Sequence, residues 1–204
     1  MHLARVAEHA ATGVTDEQRD AAVLVPVITR DRSDDYGGAH LLFTKRADHL
    51  GEHPGQMSFP GGGREPVDED LTATALREAD EEIGLDPDTA EVVGRLDDIR
   101  TITRYAVRPV VARVPDREYV PDEREVAEVV VLSVAALTDP DNYDSERRDH
   151  PHYGDIRLHF FRVGDYVVWG ATGRILVQFL ELTTDWRVPD DPDRVVDSDA
   201  DFPV

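Results

Sequence analysis

One guanidinium and three glutamates share a short stretch, Arg77-Glu78-Ala79-Asp80-Glu81-Glu82, which is closed by Ile83-Gly84-Leu85. Upstream, five residues separate Gly63 from Glu69 and seven separate Glu69 from Arg77. At about 100° per residue, Glu78 and Glu82 lie roughly 40° apart around a helix, and Glu81 lies roughly 60° the other way. All three carboxylates then project from one face. Hard divalent cations take oxygen ligands of this kind and commonly bridge carboxylates to substrate phosphates. The pattern predicts a magnesium or manganese site at Glu78, Glu81 and Glu82. A solvated acidic face would also place glutamates together. However, seven specified positions at residue frequencies of roughly 5–10% coincide by chance on the order of once in a million chains.

The elements needed to position that stretch can be read around it. Residues 70–83 are predicted to form the helix, stopped by Gly84 as a C-terminal cap. Leu41-Leu42-Phe43-Thr44 is a short apolar run bounded by Gly37-Gly38 and Lys45-Arg46, which predicts a strand. Arg46, with Lys45, puts positive charge at the end of that strand, where an anionic substrate could be clamped. Gly61, Gly62 and Gly63 leave backbone amides bare, so a phosphate or metal can come close. No G-x4-G-K-[ST] run is present, which excludes a P-loop triphosphatase.

The rest of the chain is predicted to build one α/β domain. Short helical pieces are expected at residues 3–10 and 16–20. A Val-rich strand is expected at 21–29, with Pro26 marking an edge or a bulge. Further strands are expected at 91–100, 105–114 and 125–132, with a hairpin of 156–162 and 166–169 about Gly164-Asp165. Apolar spacing at Ile175, Leu176, Phe179, Leu180 and Leu182 predicts a helix over 172–182. Residues 139–154 read as a polar loop, and the Asp- and Pro-rich tail from 189 reads as disordered. The expected division is a helical lead-in over 1–20, a catalytic domain over 21–188 and an acidic tail over 189–204. His150, His152 and His159 lack a helical ligand spacing and read as solvated. Ser58 has no glycine elbow that would make it a nucleophile.

The stretch from Gly63 to Leu85 resembles the Nudix box, G-x5-E-x7-R-E-U-x-E-E-x-G-U, where U is aliphatic. Ala79 at the first U is its one soft departure. The resemblance implies an α/β/α sandwich with a mixed sheet, the box forming a loop-helix-loop, and a metal-dependent hydrolase of nucleoside diphosphates linked to another moiety. It implies that Glu78 and Glu82 are the principal metal ligands and Glu81 an additional one. It also has Arg77 holding the carboxylates, Glu69 bracing the loop and Gly63 admitting a tight approach. Glu78, Glu81 and Arg77 are thereby the expected catalytic set, with Glu81 or a downstream loop residue taking the proton.

Leu41 to Ala47, Leu50, His53 and Gly55-Gln56-Met57-Ser58-Phe59-Pro60-Gly61-Gly62 are similar to the signature of coenzyme A pyrophosphatases within that family. Trp169-Gly170-Ala171-Thr172 also resembles that group. Gly51 departs from the signature, standing where the group usually has Arg. The similarity implies substrate contacts from Arg46, His53, Gln56, Gly61 and Gly62, and coenzyme A or its acyl forms as substrate. Two other readings stand beside it. One is a Nudix hydrolase of another diphosphate such as ADP-ribose. The other is a catalytically silent nucleotide-binding module, which has no need of the full carboxylate set.

Composition bounds the partners. The 204 residues carry 43 acidic and 22 basic side chains, for a net charge of −21. Lys45 is the only lysine, so the remaining 21 basic residues (22 less one) are arginines. That charge disfavours nucleic acid and anionic membrane surfaces, and the metal is needed to reverse the field locally for a polyanionic substrate. There is no Cys, no secretory h-region and no run of roughly 18 apolar residues, so the cytoplasm is the expected compartment. A homodimer is the assembly left open. An acidic, Lys-poor chain is characteristic of salt-accumulating organisms. Near 1 M salt the Debye length is only about 3 Å, so the mutual repulsion of the carboxylates is screened. The melting temperature is therefore expected to rise steeply from dilute buffer to molar potassium chloride in a thermal-shift titration. A flat profile would remove the high-salt reading.

Overall fold

The computed structural model describes residues 1–30, 36–47, 49, 55–101, 104–150, 154–197, 200 and 202. An eight-stranded mixed sheet lies at the centre. Its main order is β3 (Met57–Ser58), β2 (Ala39–Arg46), β1 (Arg19–Thr29), β7 (Tyr105–Arg113) and β5 (Glu91–Arg95). β4 (Gly61–Gly63) pairs with β1, β6 (Ile99–Arg100) with β7, and β8 (Val126–Ser133) with β2. β1 and β7 run parallel and the other pairs antiparallel.

Strand alternation divides the apolar residues between two cores. Ala22, Leu24, Leu42, Val110 and Ala112 face one way and meet Leu71, Ala75, Ala79 and Ile83 of α2 (Leu71–Ile83). Val25, Val27, Leu41, Phe43 and Val111 face the other way. They meet Ile175, Leu176, Phe179 and Leu180 of α4 (Gly170–Thr183), together with Val6 of α1 (Ala4–Glu8). Helices thus cover both faces, an α/β/α arrangement. α3 (Val134–Leu137) follows β8. No described helix is long and apolar enough to cross a membrane.

Pro26 does not mark an edge or a bulge. β1 lies between β2 and β7, and Pro26 pairs across from Ala112 without a register shift. Leu24 donates its amide to the Pro60 carbonyl, so even-numbered amides of β1 face the β4 and β2 side. On that side β4 covers residues 21–23 and β2 covers 27–29. Pro26 falls in the gap, where its missing N–H costs no ladder bond.

Three other expectations are corrected. Residues 19–20 begin β1 instead of ending a helix, because Arg19 and Asp20 extend the parallel ladder to Tyr105 and Ala106. The polar segment 139–154 contains β9 (Tyr143–His150), which pairs antiparallel with β10 (Gly154–Val163). With β11 (Tyr166–Val168) and β12 (Arg194–Val196) these make a second, four-stranded sheet. The tail expected to be disordered supplies β12, parallel to β9.

Charge pairing replaces apolar alternation in that sheet. Asp144 takes Arg162 at 2.7 Å and Arg194 at 2.6 Å, and Glu146 pairs with Arg148 in nearly complete burial. Asp193 accepts the Ser145 amide at 2.8 Å. Beyond β12, Arg148 donates to the Ala200 carbonyl and lies over the Phe202 ring, which meets Trp169 at 4.9 Å. These contacts return enough to hold an Asp-rich strand that composition alone would leave unfolded.

Candidate functional site

Two caps fix α2, and with it the carboxylates. Asp70 accepts the amides of Thr72 and Ala73 at 2.8 and 2.9 Å, opening the helix. Gly84 closes it in the left-handed region at φ 65°, donating to the Asp80 carbonyl, while Leu85 donates to Ala79. Burial of Ala75, Ala79 and Ile83 sets the rotation of the helix. The alanine at the departing position is fully buried, and its small side chain suits a helix lying on the sheet. With Ala79 pointing inward, Glu78 and Glu82 flank the contact and are half-buried, as is Arg77, whereas Glu81 turns outward.

Arg77 organises the box. Its guanidinium bonds Asp68 through Nε at 2.9 Å and Nη2 at 3.2 Å. It also donates to the Gly63 carbonyl at 3.1 Å, to Glu78 Oε1 at 2.9 Å and to Glu81 Oε2 at 2.9 Å. Asp68 further accepts the Glu65 amide and the Thr74 hydroxyl. With its charge matched by Arg77 first and by these donors next, Asp68 is held far below the usual carboxylate range. Asp68 is the carboxylate that braces the box loop. Glu69, expected in that role from the resemblance, is exposed and contributes its carbonyl to Arg64. In sequence Asp68 had no mark to distinguish it from its acidic neighbours.

The two half-buried glutamates are strained as anions. Burial raises Glu78 above its ordinary value; Arg77 opposes this, and the charges of Glu81 and Glu125 add to it. Glu82 is pushed up to about 8, first by burial, then by the negative charges of Glu78 and Glu125. The Gly61 amide and Arg46 pull the other way. Glu82 Oε2 is buried with no hydrogen-bond partner among the described residues. An orphaned carboxylate oxygen beside two more carboxylates fits a cation. Glu81, 59% exposed and engaged by Arg77, is turned away, so no preassembled cluster of three ligands exists among the described residues. Glu125 is the functional candidate that sequence reasoning left as an unspecified downstream residue. The bonds of the Val120 amide to Ile83 and of the Asp122 amide to Glu82 bring its loop to the helix end.

Close packing calls for glycine at positions 61 and 62. A Cβ on Gly62 would lie 2.5 Å from Glu78 Oε1, and one on Gly61 would run into the Ala22 carbonyl. Gly63 meets nothing and stands at the opening. Arg46, Gln56, Gly61, Gly62 and Glu82 line one open cleft of about 410 Å³, with Thr172 and Ile175 of α4 on its far wall. Gln56 is reached because the Arg46 amide donates to its carbonyl at 3.0 Å, folding β3 back on β2. His53, Gly51 and His152 lie outside the described residues, as does the side chain of His150. His159 is packed, not solvated. It shares a 2.7 Å hydrogen bond with Tyr143, and burial with the nearby Arg157 and Arg174 lowers it to about 4.

The sequence profile of the NUDIX domain matches residues 18–152. A curated relative from Enterobacter sp. (strain 638), described as "Uncharacterized Nudix hydrolase NudL", is 38% identical over 163 residues, spanning 78% of this chain and 80% of the relative. One from Escherichia coli (strain SMS-3-5 / SECEC) with the same description is 37% identical over 166 residues, spanning 79% and 81%. Among solved structures, a Nudix hydrolase from M. smegmatis, RenU, aligns with a TM-score of 0.48 at 23% identity, covering 60% of this chain and 74% of that one. The box on α2, the profile match and the curated relatives make this chain a member of the Nudix hydrolase family.

Proposed function

We propose that the chain hydrolyses the diphosphate bond of coenzyme A or its acyl derivatives, releasing 4′-phosphopantetheine and adenosine 3′,5′-bisphosphate. One observation carries the reading: the described signature residues Arg46, Gln56, Gly61 and Gly62 line the same cleft as Glu82. Ala171 and Thr172, from the second matching stretch, line it too. Nudix hydrolases act on small nucleotide derivatives, and coenzyme A is the member of that class the signature favours.

Magnesium or manganese is the proposed cofactor, held by Glu78 and Glu82 with Glu81 or Glu125 completing the set. When bound, such a cation neutralises phosphate oxygens and activates water for in-line attack. The protein residues do the rest. Arg77 fixes Glu78 against Gly62, so the carboxylate cannot drift from the glycine loop. Gly61–Gly63 put no side chain in the path of the diphosphate, and Arg46 sets a positive charge beside it. α4 forms the far wall of the cleft.

The test is a substrate panel of coenzyme A, acetyl-coenzyme A and ADP-ribose with magnesium or manganese, products separated by chromatography. Coenzyme A should yield adenosine 3′,5′-bisphosphate, ADP-ribose should be cleaved more slowly, and chelation should abolish both reactions. Rapid hydrolysis of ADP-ribose with no release from coenzyme A would overturn the assignment.

A further inference from the structure

A second pocket of about 460 Å³ adjoins the cleft and shares Gly63 and Tyr105 with it. Gln18, Arg19 and Arg64 line it. We propose that Arg19 and Arg64 bind a second phosphate, a phosphomonoester carried on the arm of the substrate that extends past Gly63. This rests on the diphosphate reading above and names a further group that the substrate must bear.

The argument begins from how the two guanidiniums are held. Arg30, Arg100, Arg113 and Arg124 each sit on a carboxylate, whereas others, such as Arg117, are held by carbonyls. Arg19 and Arg64 are also oriented by neutral acceptors. Arg19 donates to the Tyr105 hydroxyl at 2.9 Å and lies 4.5 Å over the centre of the same ring. Arg64 donates to the carbonyls of Asp68 and Glu69 at 3.3 and 3.0 Å. Among the described residues neither has an ion-pair partner within 4.0 Å. Two oriented guanidiniums without an ion-pair partner therefore line one pocket. The paired N–H donors of a guanidinium match the oxygens of a phosphate.

Asp68 is neutralised by Arg77 and opposes an anion little. Asp20 and Glu65 also line the pocket and do oppose one, so the phosphate must lie against the two guanidiniums and away from those carboxylates. Tyr105 is the wall between the two spaces, and Arg19 fixes its hydroxyl. A substrate whose diphosphate lies along Gly61–Gly63 has one arm toward α4 and Gln56, and the other across Tyr105 toward Arg19 and Arg64. Only the second arm meets a site built for a further anion.

Steady-state kinetics of the full chain would compare coenzyme A with its analogue lacking the 3′-phosphate. The ratio of kcat/KM for the two substrates should fall at least tenfold in the double variant Arg19→Gln/Arg64→Gln, and largely through KM. Arg64 also anchors the box loop, so Arg19→Gln alone should move the ratio in the same direction without touching those carbonyls. An unchanged ratio in both variants would overturn the proposal, as would equal losses on both substrates. Binding calorimetry separates this from failure of the coenzyme A reading. Adenosine 3′,5′-bisphosphate should bind the wild type more tightly than adenosine 5′-monophosphate, and the preference should vanish in Arg19→Gln. Equal affinity for the two in the wild type would sink the pocket even if coenzyme A is cleaved.

Discussion

Glu82→Gln is expected to lower kcat by roughly three orders of magnitude at saturating magnesium, about 4 kcal/mol in the barrier. The variant keeps the shape of the side chain and removes an anion from a point where Glu78 and Glu125 already disfavour it. In a metal-dependent diphosphatase, both charge neutralisation and water activation depend on that oxygen. Folding should survive; without added metal the melting temperature should hold at neutral pH, where Glu82 already carries a proton, and exceed that of wild type above about pH 8, where the buried anion would form. Stopped-time product assays and thermal melts on the same preparation check both halves. Glu125→Gln, measured alongside, should lose kcat while keeping KM within about threefold if its carboxylate serves the chemical step. Near-normal turnover of Glu82→Gln would remove that residue from the site.

Asp68→Asn is expected to damage both stability and turnover, although it touches no substrate. Asp68 is 2% exposed and receives two bonds from Arg77, so the variant leaves a guanidinium without its main counter-charge. Asp68 is covered by its own partners and not sunk in the core, which places the loss at about 2–3 kcal/mol, below that of a deep pair. Looser placement of Arg77, and through it of Glu78, should lower kcat about 10- to 100-fold, as loss of an outer-shell partner of a metal site does. The pH dependence gives a separate signature. A carboxylate held below its unfolded value near 3.9 stabilises the fold above that pH and loses the contribution as pH falls toward its folded value. The difference in melting temperature between wild type and Asp68→Asn should therefore be full at neutral pH and narrow below about pH 4. A gap that stays constant down to pH 2 would show that the Asp68 charge is not the stabilising element.

Local patterns carried much of this molecule. The box spacing and the Gly84 cap were enough to place α2 to within a residue, because a helix end is specified by residues within one turn of it. The apolar runs at β2, β7 and β8 were legible as short stretches rich in strand formers, β2 and β7 being buried on both faces. β9 and β12 were not. Their stability comes from pairs such as Asp144 with Arg194 and Ser145 with Asp193, partners roughly fifty residues apart that no window along the chain can join.

The site divides along the same line. Sequence spacing alone put Arg77, Glu78, Glu81 and Glu82 on one helix, since rise and turn per residue are fixed. Burial of Ala79 against the sheet then decided which carboxylates became half-buried and strained and which turned outward to Arg77. Tertiary structure also chose Asp68 over Glu69 as the loop brace, brought Glu125 to the box and set Arg19 beside Tyr105. These depend on which strands pair and how a helix is rotated upon them. That choice is made by the whole buried surface at once and by no single segment of the chain.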